Sequence, residues 1–125
     1  MQATALAELL IGHSLVQVCV GVGDAQLNFT GGFGITLESP IGVGPAGESE
    51  AAPYTLEGLA LLLPLLNGDV TDVDISEGGH LSLTVGVTTL QCRSGSGFEA
   101  WNYRGPSGEM VVSLPSGGLA IWSVR

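Results

Sequence analysis

The stretch GVGPAG, with Gly42, Gly44 and Gly47, spells G-x-G-x-x-G. Such a loop holds a pyrophosphate only where it joins a strand to a helix whose first amides face the ligand. Here ESEAAPY follows, with two glutamates and a proline where that helix would begin, so no dinucleotide cofactor is expected. Asp69, Asp72, Asp74 and Glu77 form the densest carboxylate group and offer the oxygen ligands that a divalent cation takes. Their spacing lacks the EF-hand pattern. In the alternating stretch DVTDVDIS, Asp72 and Asp74 fall opposite Val73 and Ile75, which makes them the solvent face of a strand. Acidic side chains there also discourage unwanted strand pairing.

Nucleophilic catalysis needs a base within hydrogen-bond reach of the nucleophile, and only His13 and His80 are available. Neither lies in a G-x-S-x-G elbow or beside a cysteine, and both read as solvated residues, His80 in a turn and His13 where a strand begins. Ser94 and Ser96, in SGSGF, occupy a loop, the commonest setting for serine. Cys19 and Cys92 are far apart with no CxxC, so neither zinc nor a redox pair is signalled and buried free thiols are expected. The chain has no lysine, which removes Schiff-base chemistry, and Arg93, Arg104 and Arg125 are too scattered to clamp a phosphate. The sequence therefore assigns no catalytic residue, no cofactor and no metal, and the chain is expected not to be an enzyme.

Charged residues make up 12% of the 125 positions, against about 25% in ordinary domains. Twelve carboxylates against three arginines give a formal charge of −9. Nucleic acid is a poor partner for such a surface, whereas a basic protein would be drawn to it. The first residues, MQATALAELLIGHS, lack a cationic segment, and Glu8 and Gly12 interrupt their apolar run, so a cytoplasmic address is expected. LALLLPLL is too short to cross a bilayer, and no membrane association is expected. In that compartment the sequon Asn28-Phe29-Thr30 is a chance match.

These residues must be positioned by one compact domain, 1–125, since a chain of this length sustains a single core. Hairpin registers follow from asking which loop length sets apolar residues opposite one another, because a one-residue slip sends every side chain to the other face. In LNFTGGFGITL a Gly31-Gly32-Phe33 loop pairs Phe29 with Ile35 and Leu27 with Leu37. In HLSLTVGVTTLQC a two-residue Gly86-Val87 turn pairs Leu83 with Leu90 and Leu81 with Cys92, leaving Ser82, Thr84, Thr89 and Gln91 on the other face. Val16, Val18, Val20 and Val22 alternate as a further strand. Residues 38–53 are rich in Gly, Pro, Ala and Glu and read as a long surface loop.

Thr55 is placed to cap a helix over LEGLALLLPLLNG, with Glu57 in its first turn, Pro64 ending or kinking it near Leu63, and Gly68 terminating the segment. Leucines surround this helix, which predicts that it is enclosed. At the C-terminal end, four-residue loops at 105–108 and 115–118 set Tyr103 opposite Met110, Trp101 opposite Val112, Leu114 opposite Leu119 and Val112 opposite Ile121. One face then carries Trp101, Tyr103, Met110, Val112, Leu114, Leu119 and Ile121, and the other Ala100, Val111, Ala120 and Trp122. Both faces are apolar, so each needs a cover. The expected fold is α+β: an antiparallel β-rich domain of about eight strands in hairpins and a meander, with one buried leucine-rich helix.

The run FEAWNYRGPSGEMVVSLPSGGLAIW, with VTDVDISEGGHLSLTV before it and LVQVCV near the start, resembles a bacterial family common in actinomycetes, domain-of-unknown-function family 6188. The likeness spans most of the chain and is strongest at Glu99-Ala100-Trp101, Gly105-Pro106, Gly108, the Pro115 turn and Trp122. These are turn formers and sheet packers, so the resemblance implies a fold and brings no activity, cofactor or catalytic residue.

Charge, size and the missing catalytic constellation point to a small acidic protein-binding module, in its most concrete version an immunity-type inhibitor of a basic protein. The alternative is a self-associating module that forms a homo-oligomer. The residues expected to meet a partner are Trp122, Val111, Asp72, Asp74 and Glu77.

Overall fold

The computed structural model describes residues 2–44, 49–95, 98–115 and 117–123. Gly47, Ser96, Ser116 and Arg125, named above, lie outside the described residues. Two antiparallel sheets face each other over one cluster of buried side chains. The first sheet contains β1 (Leu15–Val20), β2 (Ala25–Phe29), β3 (Gly34–Leu37), β9 (Trp101–Arg104), β10 (Met110–Ser113) and β11 (Leu119–Trp122), in that spatial order. The second runs β5 (Ser49–Ala51), β4 (Ile41–Val43), β8 (Thr88–Cys92), β7 (Leu81–Val85), β6 (Val70–Ile75). The chain changes sheet between β3 and β4 and returns between β8 and β9.

The antiparallel β-rich α+β architecture is thus as the sequence predicts, with eleven strands among the described residues in place of about eight and two short α-helices in place of one buried helix. Two of the additional strands, β4 and β5, pair with each other inside the segment read as a loop, and β4 continues the ladder from β8. Ile41 is fully buried there. Three-residue strands flanked by Pro and Gly carry too few alternations to register as a pattern.

The Gly86-Val87 hairpin has the predicted register, Leu81 with Cys92, Leu83 with Leu90 and Val85 with Thr88, and Gly86 has φ +64°. The β2–β3 hairpin closes one residue earlier than expected. Leu27 pairs with Ile35 and Ala25 with Leu37, and the Phe29 amide donates to Phe33 (3.0 Å). The loop is then Thr30-Gly31-Gly32, both glycines are left-handed (φ +80° and +87°), and Phe33 is buried instead of sitting at a loop tip.

In the C-terminal meander both turns are one residue shorter than predicted. Gly105 donates to Glu109 and Leu114 to Gly118, so Tyr103 opposes Val111 and Val111 opposes Ile121. That shift exchanges the faces of β10. Val111 is fully buried in the core, not on the outer face, which removes it from the candidate contact residues. Met110 and Val112 take the outer face with Ala120 and Trp122. The reason is Ser113, which the apolar criterion kept out of the interior. It is fully buried, and its hydroxyl donates to the Gly79 carbonyl (2.9 Å), as the Trp101 indole also does (2.8 Å). A core serine with a carbonyl partner costs little.

Helix α2 (Leu56–Leu62) begins as predicted, with Thr55 Oγ1 accepting from the Gly58 amide (3.1 Å), and passes into a 3-10 turn at Leu63–Leu65 containing Pro64. It is not enclosed: Leu62 and Leu65 are buried, but Leu56 is 83% exposed and Leu63 46%. A helix that the sequence reading missed, α1 (Gln2–Ala7), buries Ala3 and Ala7. It is tied across the core by Tyr103 Oη donating to Leu6 O (2.9 Å) and Thr4 Oγ1 donating to Ile75 O (3.1 Å). Among the described residues, no helix is long and apolar enough to cross a membrane.

Candidate functional site

Strand pairing lines up one row of side chains across the outer face of the five-stranded sheet. Asp74 opposes Ser82, Ser82 opposes Gln91, Gln91 opposes Gly42, and Gly42 opposes Glu50. With neighbouring strands about 4.8 Å apart the row runs about 19 Å. It is polar throughout, with a carboxylate at each end and a bare glycine beside its centre. Asp72 lies one pair further along, beside Thr84 and Thr89.

Two shallow grooves share this face. One, of about 360 Å³, is lined by residues that include Pro40, Gly42, Glu50, Gln91, Arg93 and Phe98. The other, of about 290 Å³, is lined by residues that include Asp74, Ser76, His80, Ser82, Gln91 and Arg93. Gln91 and Arg93 belong to both. Arg93 follows the end of β8 on the side where Gln91 points, so the i, i+2 repeat of a strand sets the two side by side. His80 is exposed, yet its ring is anchored: Nδ1 accepts from the Ser94 amide (3.0 Å), and its own amide donates to Ser76 Oγ (3.1 Å). With Nδ1 an acceptor, the neutral ring carries its proton on Nε2. A solvated turn residue was expected. The ring is in fact the pin that holds the start of the Ser94 loop.

The expected contact residues divide between two surfaces. Asp72, Asp74 and Glu77 are exposed at the β6 edge of the five-stranded sheet. Trp122, 55% exposed, is on the outer face of the other sheet, at its β11 edge and beside Met110. Sequence reasoning missed Gln91, Arg93, Glu50 and Phe98. For Gln91 the signal was present, since the correctly registered β7–β8 hairpin already put it on the polar face, and Arg93 follows by parity. Glu50 was hidden with β5, and Phe98 follows an irregular segment.

Both histidines are hydrogen-bonded within the fold. His13 Nδ1 lies 3.1 Å from Thr30 Oγ1, and its ring packs on Phe33 with centroids 4.7 Å apart. Ser14 Oγ donates to Asp69 instead of to a histidine. Burial pushes the Cys92 thiol up to about 12, which keeps it protonated and unreactive. The described residues contain no group of three or more His, Cys, Asp or Glu arranged to hold a metal ion.

The model of a family of unknown function, DUF6188, matches residues 7–123. No curated protein and no solved structure matches the chain.

Proposed function

The chain belongs to the DUF6188 family, whose function is unknown, and we propose from its own surface that it is a small non-catalytic protein-binding module. The outer face of its five-stranded sheet is the docking surface, and the partner is a basic protein. The observation that carries this reading is the pair Asp72 and Asp74, both exposed on one sheet face, with Glu50 at the far end of the same row and Glu77 just beyond β6. Among the described residues, the carboxylates that accept side-chain-type hydrogen bonds are Asp69 and Glu109, elsewhere in the fold. The carboxylates on this face are therefore left to solvent or to a partner. Opposed potentials of this kind raise association rates and make binding sensitive to salt. Inhibition of the basic partner, as an immunity protein inhibits a toxin, is the most specific form of the proposal.

The test is affinity capture at low salt with the wild-type chain and the Asp72→Asn/Asp74→Asn double variant. A basic protein held by the wild type, released by salt and lost from the variant supports the reading. Equal recovery by both, or none by either, overturns it.

Self-association is a second reading, favoured by β11. This edge strand, LAIW, is uncharged, carries no proline, and exposes Trp122 beside Met110. Edges of this kind are where strands of separate chains pair. Light scattering over a micromolar concentration range tests it: a dimer that Trp122→Ser abolishes supports self-association, and a monomer throughout rejects it.

A further inference from the structure

Arg93 sits where an acidic binding face has no use for it. Arg104 is engaged within the fold: its Nη2 donates to Thr36 Oγ1 (3.3 Å) and its Nε to Asn102 Oδ1 (3.4 Å), and its guanidinium lies directly against Gly34. Arg93, in contrast, is exposed, lines both grooves, and donates no hydrogen bond to any other described residue. Gln91, common to both grooves, Ser94 in the larger one and His80 in the smaller one can each donate a hydrogen bond. Of the carboxylates at the two ends of the row, Glu50 lines the larger groove and Asp74 the smaller. A single anionic centre is thus framed by two positions that repel a second negative charge.

The larger groove supplies a place for the rest of a ligand. Gly42 and Pro40 line it without long side chains of their own, and Phe98, half exposed, lines it too with its ring against Gly95. A planar guanidinium matches a carboxylate through two parallel hydrogen bonds, and a volume of about 360 Å³ is at the small end of ligand sites.

We propose that the groove over Gly42 binds a monocarboxylate with a flat apolar body, the carboxylate on Arg93 and the body between Pro40 and Phe98. The groove lies on the same sheet face as the protein-partner reading, toward β4 and β5, whereas that reading rests on the β6 carboxylates. The same chemistry occurs in a free aryl acid and in the apolar C-terminal residue of a peptide.

The experiment is a titration of the full chain followed by amide NMR shifts. The probes are phenylacetate, neutral phenylacetamide, and an N-acetylated tripeptide ending in phenylalanine. Saturable shifts at Gly42, Gln91 and Ser94 are expected with both carboxylates and not with the amide. Arg93→Gln should weaken binding by about tenfold or more, the loss typical of a charged hydrogen-bonding partner, with the remaining spectrum unchanged because the side chain is exposed. Asp72→Asn alone, at an exposed carboxylate outside both grooves, should bind as the wild type does, so this test and that of the protein-partner reading fail separately. Tighter binding of the peptide than of phenylacetate identifies a chain terminus as the source, and the reverse order a free acid. Equal binding of phenylacetamide, an Arg93→Gln variant that binds undiminished, or no saturable shift at these amides overturns the proposal.

Discussion

Trp101 and Ser113 converge on one acceptor: the indole N–H and the serine hydroxyl both donate to the carbonyl oxygen of Gly79, at 2.8 and 2.9 Å. The two side chains belong to adjacent strands of the first sheet, and the carbonyl to the turn between β6 and β7 of the second. Gly79 has φ +91°, and a methyl group on it would lie 2.9 Å from both the Gly118 carbonyl and Ser113 Oγ. Sheet-to-sheet docking is therefore specified by a polar clasp inside an apolar core. Ser113→Ala should cost about 1 kcal/mol, and Trp101→Phe more, since it also removes buried volume. In a double-mutant cycle by urea unfolding the two should couple by about 0.5 kcal/mol or more. Strict additivity would show that the shared acceptor is energetically irrelevant.

Gly58 fixes the seat of α2. A side chain there would collide with the Ala52 carbonyl and come within 2.7 Å of Pro53 Cα, both backbone. Although alanine favours helix, Gly58→Ala should destabilise the chain by about 1–3 kcal/mol through that overpacking. Leu56→Gln, one turn position away at 83% exposure, should change stability by less than about 0.5 kcal/mol. Thermal unfolding of the two variants checks both, and a large loss for Leu56→Gln would restore the enclosed helix that its leucines suggest.

The fate of that helix shows where the sequence was readable and where it was not. The Thr55 cap and the Pro64 break are local chemistry, and both are visible in the order of residues. Whether a leucine-coated helix is covered depends on what else competes for the core, and here β4 to β8 fill it. The β7–β8 hairpin was legible because strict alternation left one register. The C-terminal meander was not, because apolar residues on both faces made two registers nearly equal by that criterion. Three-residue loops with left-handed Gly108 and Gly117 and a satisfied buried serine decided between them. Of the candidate site, the carboxylates of β6 could be read from alternation, while the Arg93 groove needed β4 and β5 to line it.

Burial, then the neighbouring carboxylates of Asp24 and Glu99, push the pKa of Glu38 above the usual carboxylate range. A raised value in the folded state means that the folded chain holds the proton more tightly than the unfolded one. Stability from this group is then present below the ordinary glutamate range and lost as the pH climbs through the raised value. Glu38→Gln should accordingly raise the melting temperature at pH 7 and leave it unchanged, or slightly lower it, at pH 3 to 4. A variant less stable than the wild type at pH 7 would contradict the sign.

The two thiols differ in environment. Cys92 is fully buried, with its Sγ 3.7 Å from the Ala100 carbonyl and 3.8 Å from that of Ser39. Cys19 is partly exposed on the outer side of β1, beside Asn28. A thiol reagent at pH 8 should label one cysteine per native chain within minutes and the second only on unfolding, with peptide mapping assigning the fast site to Cys19. Rapid labelling of both would mean that the second sheet opens readily.

The central seam of the six-stranded sheet joins Gly34 to Arg104 and Leu37 to Trp101, pieces of chain 70 and 64 positions apart in sequence. While a ribosome is still producing the intervening residues, β3 has no neighbour on that side and presents a bare row of amides and carbonyls. Closing so distant a pairing is slow compared with making a hairpin, and nascent chains in this condition are those that chaperones engage and that aggregate when expressed too fast. Slowing translation or lowering the growth temperature should therefore increase the yield of folded material more for this topology than for one whose sheets are built from consecutive strands.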